Sequence, residues 1–253
     1  MSSKTIIITG ASAGIGRAIG EMLVQDDHHL YLLARRTDKI EAWIDQIPPS
    51  KIKATVEIHQ IDVSRQEDVD SFFDQLVSEG ASINVLINNA GFAAGKDPVK
   101  LATMQDWQSM MQTNFFGAFW VAKRTLPLMP KHAGSRIINV GSIAGLQGYP
   151  GGGGYCASKF ALKAFSQTLR LELLEDGIGV TSIEPGLVET EFSMVRLGDE
   201  QKAKDVYQGM KPLTAKDIAS MIYFVTNLPE HVNVESLVTM PMAQASVFHV
   251  QRK

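Results

Sequence analysis

Short apolar runs and amphipathic stretches alternate along the whole chain. Ile6-Ile7-Ile8 is a β-branched run without polar interruption, the pattern of a strand buried on both faces. A helical stripe follows at Ile15, Ile19, Met22 and Leu23, whose spacing gathers these side chains on one face. Further strands are predicted at Leu30 to Ala34, Val56 to Ile61, Val85 to Ile87, Arg136 to Val140, Val180 to Ile183 and Leu237 to Thr239. Helical patterns run after Ser64, from about Thr103 to Leu128, from Gly154 to Glu175, and after Thr214. Ser64 with Glu67 and Thr214 with Asp217 read as N-terminal caps, and Asp106 stands third after Thr103. No repeat or low-complexity linker interrupts the alternation. It predicts a doubly wound α/β fold: a parallel sheet of about seven strands, helices on both faces, right-handed crossovers. Ligands bind such sheets beyond the carboxyl ends of the strands. Gly10, Asn88, Ser142 and Pro185 each fall just past one, so a single cleft would collect them.

Composition narrows the class. A length of 253 residues suits one large domain, 1–253. Apolar content of 45% and charged content of 20% are those of an ordinary globular chain. A formal net charge of -3 gives no reason to expect nucleic acid or an anionic membrane as partner. The chain enters its first strand within five residues, which leaves no space for a signal peptide. No apolar stretch approaches the roughly 20 residues that span a bilayer. Cys156 is the only cysteine, so no intrachain disulfide can form, in keeping with a cytoplasmic location. The six histidines show no ligand spacing, and no metal is expected; His28, His29 and His231 read as surface or loop residues.

Two clusters carry chemistry. Thr9-Gly10-Ala11-Ser12-Ala13-Gly14-Ile15-Gly16 joins the first strand to the first helix. Gly10 permits a tight exit, Gly14 lets backbone approach a pyrophosphate, and Gly16 lets helix and strand pack closely. The G-x-x-x-G-x-G spacing departs from the commoner G-x-G-x-x-G, and a flexible turn alone would also use these glycines. The preceding strand and following helix favour phosphate binding. The second cluster is Tyr155 with Lys159, one helical turn apart, and Ser142 thirteen residues upstream. A phenol titrates near pH 10, and an adjacent ammonium pulls that value towards neutrality. A serine hydroxyl beside it suits an oxygen undergoing proton transfer.

Together with Asn88-Asn89-Ala90-Gly91 and Pro185-Gly186 followed by Thr190, these motifs resemble the short-chain dehydrogenases/reductases, from Lys4 to about Pro241. The resemblance implies a single Rossmann-like domain and hydride transfer between nicotinamide C4 and a carbinol carbon. Tyr155 would be general acid in reduction and base in oxidation. Lys159 would lower its pKa and bind the nicotinamide ribose, Ser142 would orient the substrate oxygen, and Asn114 would hold a water. Cofactor contacts would come from Gly10, Ser12, Gly14, Ile15, Gly16, Asp62, Val63, Asn88, Ala90, Gly91, Tyr155, Lys159, Pro185, Gly186, Val188 and Thr190. At the end of the second strand Ala34-Arg35-Arg36 offers no carboxylate for a ribose 2′-hydroxyl. Arg35 and Arg36 instead suit a 2′-phosphate, which selects NADP(H) over NAD.

The segment near 187–211 would form a substrate lid, and its charge density argues against a bulky apolar substrate. Arg196 reads either as a clamp for a small anionic group, with Tyr149 offering a hydroxyl, or as a solvated residue paired with Asp199 or Glu200. Gly151-Gly152-Gly153-Gly154 would leave bare backbone beside the pocket. Ile183-Glu184-Pro185-Gly186-Leu187-Val188, Leu228-Pro229-Glu230-His231-Val232-Asn233 and Met240-Pro241 resemble NADP-dependent 3-hydroxy acid dehydrogenases, and reductases of sulfonated aldehydes share the framework. The resemblance therefore implies a small 3-hydroxy acid, its semialdehyde, or a short sulfonated aldehyde as substrate. A broad carbonyl reductase is a further alternative. The family's usual assembly is a homotetramer, with a homodimer as the alternative, and the segments 103–128 and 154–175 could supply its contacts. A catalytically silent NADPH sensor would have no need of Asn114, Ser142, Tyr155 and Lys159 together, and a purely structural oligomer leaves the glycine turn unexplained.

Overall fold

A computed structural model describes residues 3–253. Seven parallel strands form the central sheet: β1 (Thr5–Thr9), β2 (His29–Ala34), β3 (Thr55–Gln60), β4 (Val85–Asn88), β5 (Arg136–Val140), β6 (Gly179–Pro185) and, last in the sheet, Ser236–Thr239. From one edge the order is β3, β2, β1, β4, β5, β6 and the Ser236–Thr239 strand. The order reverses direction at β1, which pairs β2 on one side and β4 on the other. Such a switch point opens a crevice beyond the strand ends.

Period-two alternation divides the apolar side chains between the two faces. On one face Ile6, Ile8, Leu30, Leu32, Val85 and Ile87 pack against α1 (Gly14–Leu23), α2 (Thr37–Ile44) and a C-terminal helix, Ala215–Thr226. On the other, Ile7, Tyr31, Leu33, Leu86 and Ile137 meet α3 (Gln66–Ser78), α5 (Ala118–Thr125) and α6 (Gly153–Glu172). The two core layers form one doubly wound unit around the sheet, as the alternation predicts.

Two local expectations fail. Ser64 and Glu67 form no capping box, because Ser64 donates both its amide and its hydroxyl to Asp62 (3.0 and 2.6 Å), and α3 starts after Arg65 without a side-chain cap. The predicted helix from 103 to 128 is three pieces. α4 (Met104–Met111), capped by the Thr103 hydroxyl, passes into a π-helical turn at Gln112–Gly117, then α5, then a 3-10 turn at Leu126–Leu128. Gly117, at the end of the π-helical turn, lets the helix pass close to Val63, since a Cβ there would lie 2.8 Å from the Val63 carbonyl oxygen. The box at Thr214 and Asp217 forms in full. His28, expected at the surface, is buried and accepts from the Lys4 amide.

Between β6 and the C-terminal helix lie β7 (Val188–Glu189), α7 (Glu191–Leu197), α8 (Glu200–Asp205) and β8 (Leu213–Thr214), with β7 paired to β8. The C-terminal helix and last strand are accordingly α9 and β9.

Candidate active site

A cavity of about 520 Å³ opens at the carboxyl ends of the strands. Its floor starts at the glycine turn. Gly10 has a φ of +68°, and a Cβ on Gly16 would lie 2.3 Å from the Gly10 carbonyl oxygen. Only glycine at both positions lets α1 start this close to β1. The N-cap of α1, Ala13, provides no side-chain acceptor, so the first amide groups of the helix are left for a ligand. Ser12, Gly14 and Ile15 line the cavity beside them. Gly16 shapes the turn from behind it.

Arg35 and Arg36 sit at the cavity rim just beyond β2. Arg35 approaches Asp62 at 4.0 Å, and Arg36 and Lys39 both reach Glu191 of α7, at 3.4 and 3.2 Å. The sequence reading missed Lys39, which adds a third cation to this rim one turn along α2. Asp62, Val63, Ala90, Gly91, Pro185, Gly186, Val188 and Thr190 also line the cavity. Asn88 does not. It is buried behind the wall, donating to the Ala118 carbonyl and to Asn139, so its role is to tie the sheet to α5. An uncapped helix start, a side-chain-free turn and a cationic rim without a terminal carboxylate on β2 fit a dinucleotide carrying an additional phosphate.

Across the cavity, α6 presents Tyr155 and Lys159 on adjacent turns, and Ser142 follows β5. Ser142 hydrogen-bonds the Tyr155 hydroxyl. Asn114 lies in the π-helical turn, fully buried, accepting from the Phe92 amide (2.9 Å) and donating to the Phe92 carbonyl and Ser158 hydroxyl (2.9 Å each). It fixes the loop after β4 to α6 from behind the cavity wall. Lys159 donates to the Val140 carbonyl at 2.8 Å, with its ammonium 5.9 Å from the Tyr155 ring centre.

Burial dominates the electrostatics. It pushes the Tyr155 hydroxyl well above its usual range, against the Ser142 hydrogen bond and the Arg196 charge, which pull it down. The expectation that Lys159 draws Tyr155 towards neutrality is not met in the free protein: the ammonium is turned to backbone, and burial lowers its own pKa to about 8 while Glu184 opposes the fall.

Arg196 of α7 closes the cavity on the side of Tyr149 and Tyr155. Its guanidinium donates to the Gly95 carbonyl (3.1 Å), the Tyr149 hydroxyl (2.8 Å) and the Gly151 carbonyl (3.2 Å), and lies 5.8 Å from the Tyr155 ring centre. Pairing with Asp199 or Glu200 is not what the structure shows. Asp199 caps α8 at the Lys202 amide, and Glu200 pairs with Lys204. The four glycines also act differently from expectation. A Cβ on Gly152 would strike the Tyr149 ring at 2.4 Å, and one on Gly153 would strike Trp107 at 2.5 Å. They seat aromatic rings rather than expose backbone to the cavity, and only the Gly151 carbonyl reaches Arg196. Gln244, Val247, Val250 and Arg252, from the C-terminal segment, complete the wall. Gln244 accepts from the Leu187 amide at 2.8 Å, and Arg252 donates to the carbonyls of Val206 and Gln208 beyond α8. No periodic pattern marks these residues in the sequence.

A glycine turn opening a helix at the switch point of a parallel sheet, facing a serine, tyrosine and lysine, defines a dinucleotide-dependent oxidoreductase site. Residues 4–201 match the short chain dehydrogenase family model, and the chain belongs to that family. It is 40% identical over 255 residues to an NADP-dependent 3-hydroxy acid dehydrogenase of Schizosaccharomyces pombe, covering 100% of this chain and 98% of the relative. A sulfoacetaldehyde reductase of Chromohalobacter salexigens is 37% identical, with 99% of each covered. Among solved structures, the closed form of a serine dehydrogenase complexed with NADP+ superposes with a TM-score of 0.87 at 34% identity, covering 98% of this chain and 100% of the other.

Proposed function

We propose that this chain is an NADP(H)-dependent oxidoreductase for a small anionic 3-hydroxy acid or the corresponding semialdehyde. The cofactor reading rests on the cationic rim of Arg35, Arg36 and Lys39, and is supported by relatives named as NADP-dependent. The observation that carries the substrate class is Arg196. Three of the five guanidinium N–H donors are engaged by Gly95, Tyr149 and Gly151, which leaves two for an anion next to Tyr155.

Bound nicotinamide would supply or accept the hydride. In reduction, Tyr155 gives its proton to the oxygen that the hydride leaves negative; in oxidation it takes the proton from the alcohol. Ser142, hydrogen-bonded to the same phenol, orients that oxygen. Lys159 holds positive charge behind the phenol, and Asn114 keeps the Phe92 loop and α6 in register. The segment 187–211, with α7 and α8, acts as the lid of this one-domain enzyme and carries Arg196. A sulfonate fits the same two donors, and similarity to a sulfoacetaldehyde reductase supports that second substrate class.

Among the described residues no helix is long and apolar enough to cross a membrane. The unpaired, buried Cys156 suits a reducing cytoplasm. Phe116 and Phe160, exposed at 40% and 45%, give a homotetramer or homodimer an apolar contact face, which light scattering would test. The reading of the site is tested with Tyr155→Phe. Turnover is expected to vanish while NADPH fluorescence titration is unchanged; an active variant would overturn the mechanism.

A further inference from the structure

Glu184 is a fully buried carboxylate at the end of β6, one residue before the Pro185-Gly186 turn. Burying an ionised carboxylate costs several kcal/mol unless it is paired and hydrogen-bonded. Each of its oxygens has a partner here. Oε2 accepts from the Ser142 amide at 2.7 Å, and Oε1 accepts from the Ser182 hydroxyl, with the Lys163 ammonium 3.5 Å away. The neighbouring strand makes room for it. In the β5–β6 register Val140 lies opposite Ile183, and a Cβ on Gly141 would stand 2.1 Å from Oε2. The carboxylate thus fills the space that any side chain at 141 would need.

Its reach covers two members of the site. The amide it holds belongs to Ser142, whose hydroxyl meets the Tyr155 phenol. Lys159, tied to the Val140 carbonyl just before Gly141, feels its negative charge. We propose that Glu184 is a positioning residue for catalysis: it locks the Ser142 backbone against Tyr155 and supplies the counter-charge for Lys159. This rests on the Ser142–Tyr155–Lys159 reading above. The other charged or titratable groups facing the pair are Tyr149, Cys156 and Arg196, which act on Tyr155, and Lys163, which faces Glu184 from α6.

Without the carboxylate, Lys159 loses its proton at lower pH, so the charge behind the phenol disappears sooner as pH rises. The test is the pH profile of kcat/KM for carbonyl reduction, with melting temperature recorded alongside. Glu184→Gln keeps an acceptor for the Ser142 amide and removes the charge. It is expected to move the alkaline limb down by about one unit, a roughly tenfold loss above the limb. Lys163→Met strips the carboxylate of its second cation, leaves more of its field on Lys159, and moves the limb up. Opposite shifts would not arise from a merely structural role. An unmoved limb in Glu184→Gln, or a shift of the same sign in both variants, overturns the proposal. If Glu184→Gln does not fold, Lys163→Met decides alone: a limb that stays or falls sinks the idea. Failure here with an inactive Tyr155→Phe removes only the role of Glu184, whereas an active Tyr155→Phe removes the catalytic reading itself.

Discussion

Arg196→Ala is the most discriminating perturbation of substrate class. In the free protein the guanidinium is already ordered by Gly95, Tyr149 and Gly151, so a substrate anion pays little to immobilise it. Hydrogen bonds to a charged group contribute about 1.5–3 kcal/mol, so loss of the clamp lowers kcat/KM for an anionic aldehyde by roughly ten- to a hundredfold. The loss should fall mainly on KM, because the anion binds in ground state and transition state alike. The assay is NADPH oxidation followed by absorbance with succinic semialdehyde, malonic semialdehyde, sulfoacetaldehyde and an uncharged aldehyde of similar size. The neutral aldehyde controls for collapse of the lid, since Arg196 also pins α7 to the Gly95 and Gly151 loops. An anion-selective loss supports the clamp, and the ranking of wild-type rates separates carboxylate from sulfonate. Equal losses on all four substrates would reduce Arg196 to a lid strut. No loss at all would refute the anionic substrate class.

Three further outcomes are expected. Arg36→Ala should weaken NADPH binding about tenfold, the order expected for one charge-assisted contact, and leave NADH binding unchanged; fluorescence titration of both cofactors reads this directly. Gly16→Ala should lower stability by about 1–3 kcal/mol, because its Cβ would stand 2.3 Å from the Gly10 carbonyl, and a thermal melt would show the loss. Lys159 is buried with a pKa near 8 instead of 10.5, so the unfolded chain binds the extra proton between those values and wild-type stability rises with pH across that window. Lys159→Met should lack this rise in cofactor-free melts.

Much of the fold was legible because each strand is short, apolar and followed by a periodic helix. β5 matches its expected bounds, Arg136–Val140; β1, β2, β4, β6 and β9 run one to three residues longer, β3 is shifted by one residue towards the N-terminus, and the short β7 and β8 were not expected. The π-helical turn was not legible, since the 3.6-residue pattern runs through 112–117 unbroken and the close approach of Gly117 to Val63 joins residues distant in sequence. The Ser64 cap failed because Asp62, two residues upstream, competes for the same hydroxyl. Within the site, glycine spacing and the tyrosine–lysine pair could be read as local patterns. Glu184 and Lys39 could not be, because their meaning depends on which strand or helix lies alongside. The direction of the Tyr155 shift escaped for the same reason: a helix position fixes the distance to Lys159, whereas burial is a property of the assembled core.

That burial bears on direction of reaction. Tyr155 is pushed up and Lys159 down, so the cleft favours the neutral form of both groups. A protonated phenol is the form that reduction consumes; oxidation needs the phenolate. Raising the phenol pKa therefore leaves the acid fully populated across neutral pH and makes the base scarce there. Oxidative kcat/KM should climb about tenfold per pH unit through neutrality, the slope of a single proton leaving Tyr155. Reductive kcat/KM should be flat over the same range and decline only as Lys159 loses its charge, near its pKa of about 8. Arg196 enters the same balance, since its charge opposes the upward shift of Tyr155. An anion seated on Arg196 offsets that charge and holds the proton on the phenol more firmly, so an anionic substrate keeps the acid form populated and makes the phenolate scarcer still. Measuring both directions over a common pH series tests this coupling. A flat oxidative profile, or a reductive one falling already below neutrality, would show that Tyr155 titrates in the ordinary working range and that burial does not govern it.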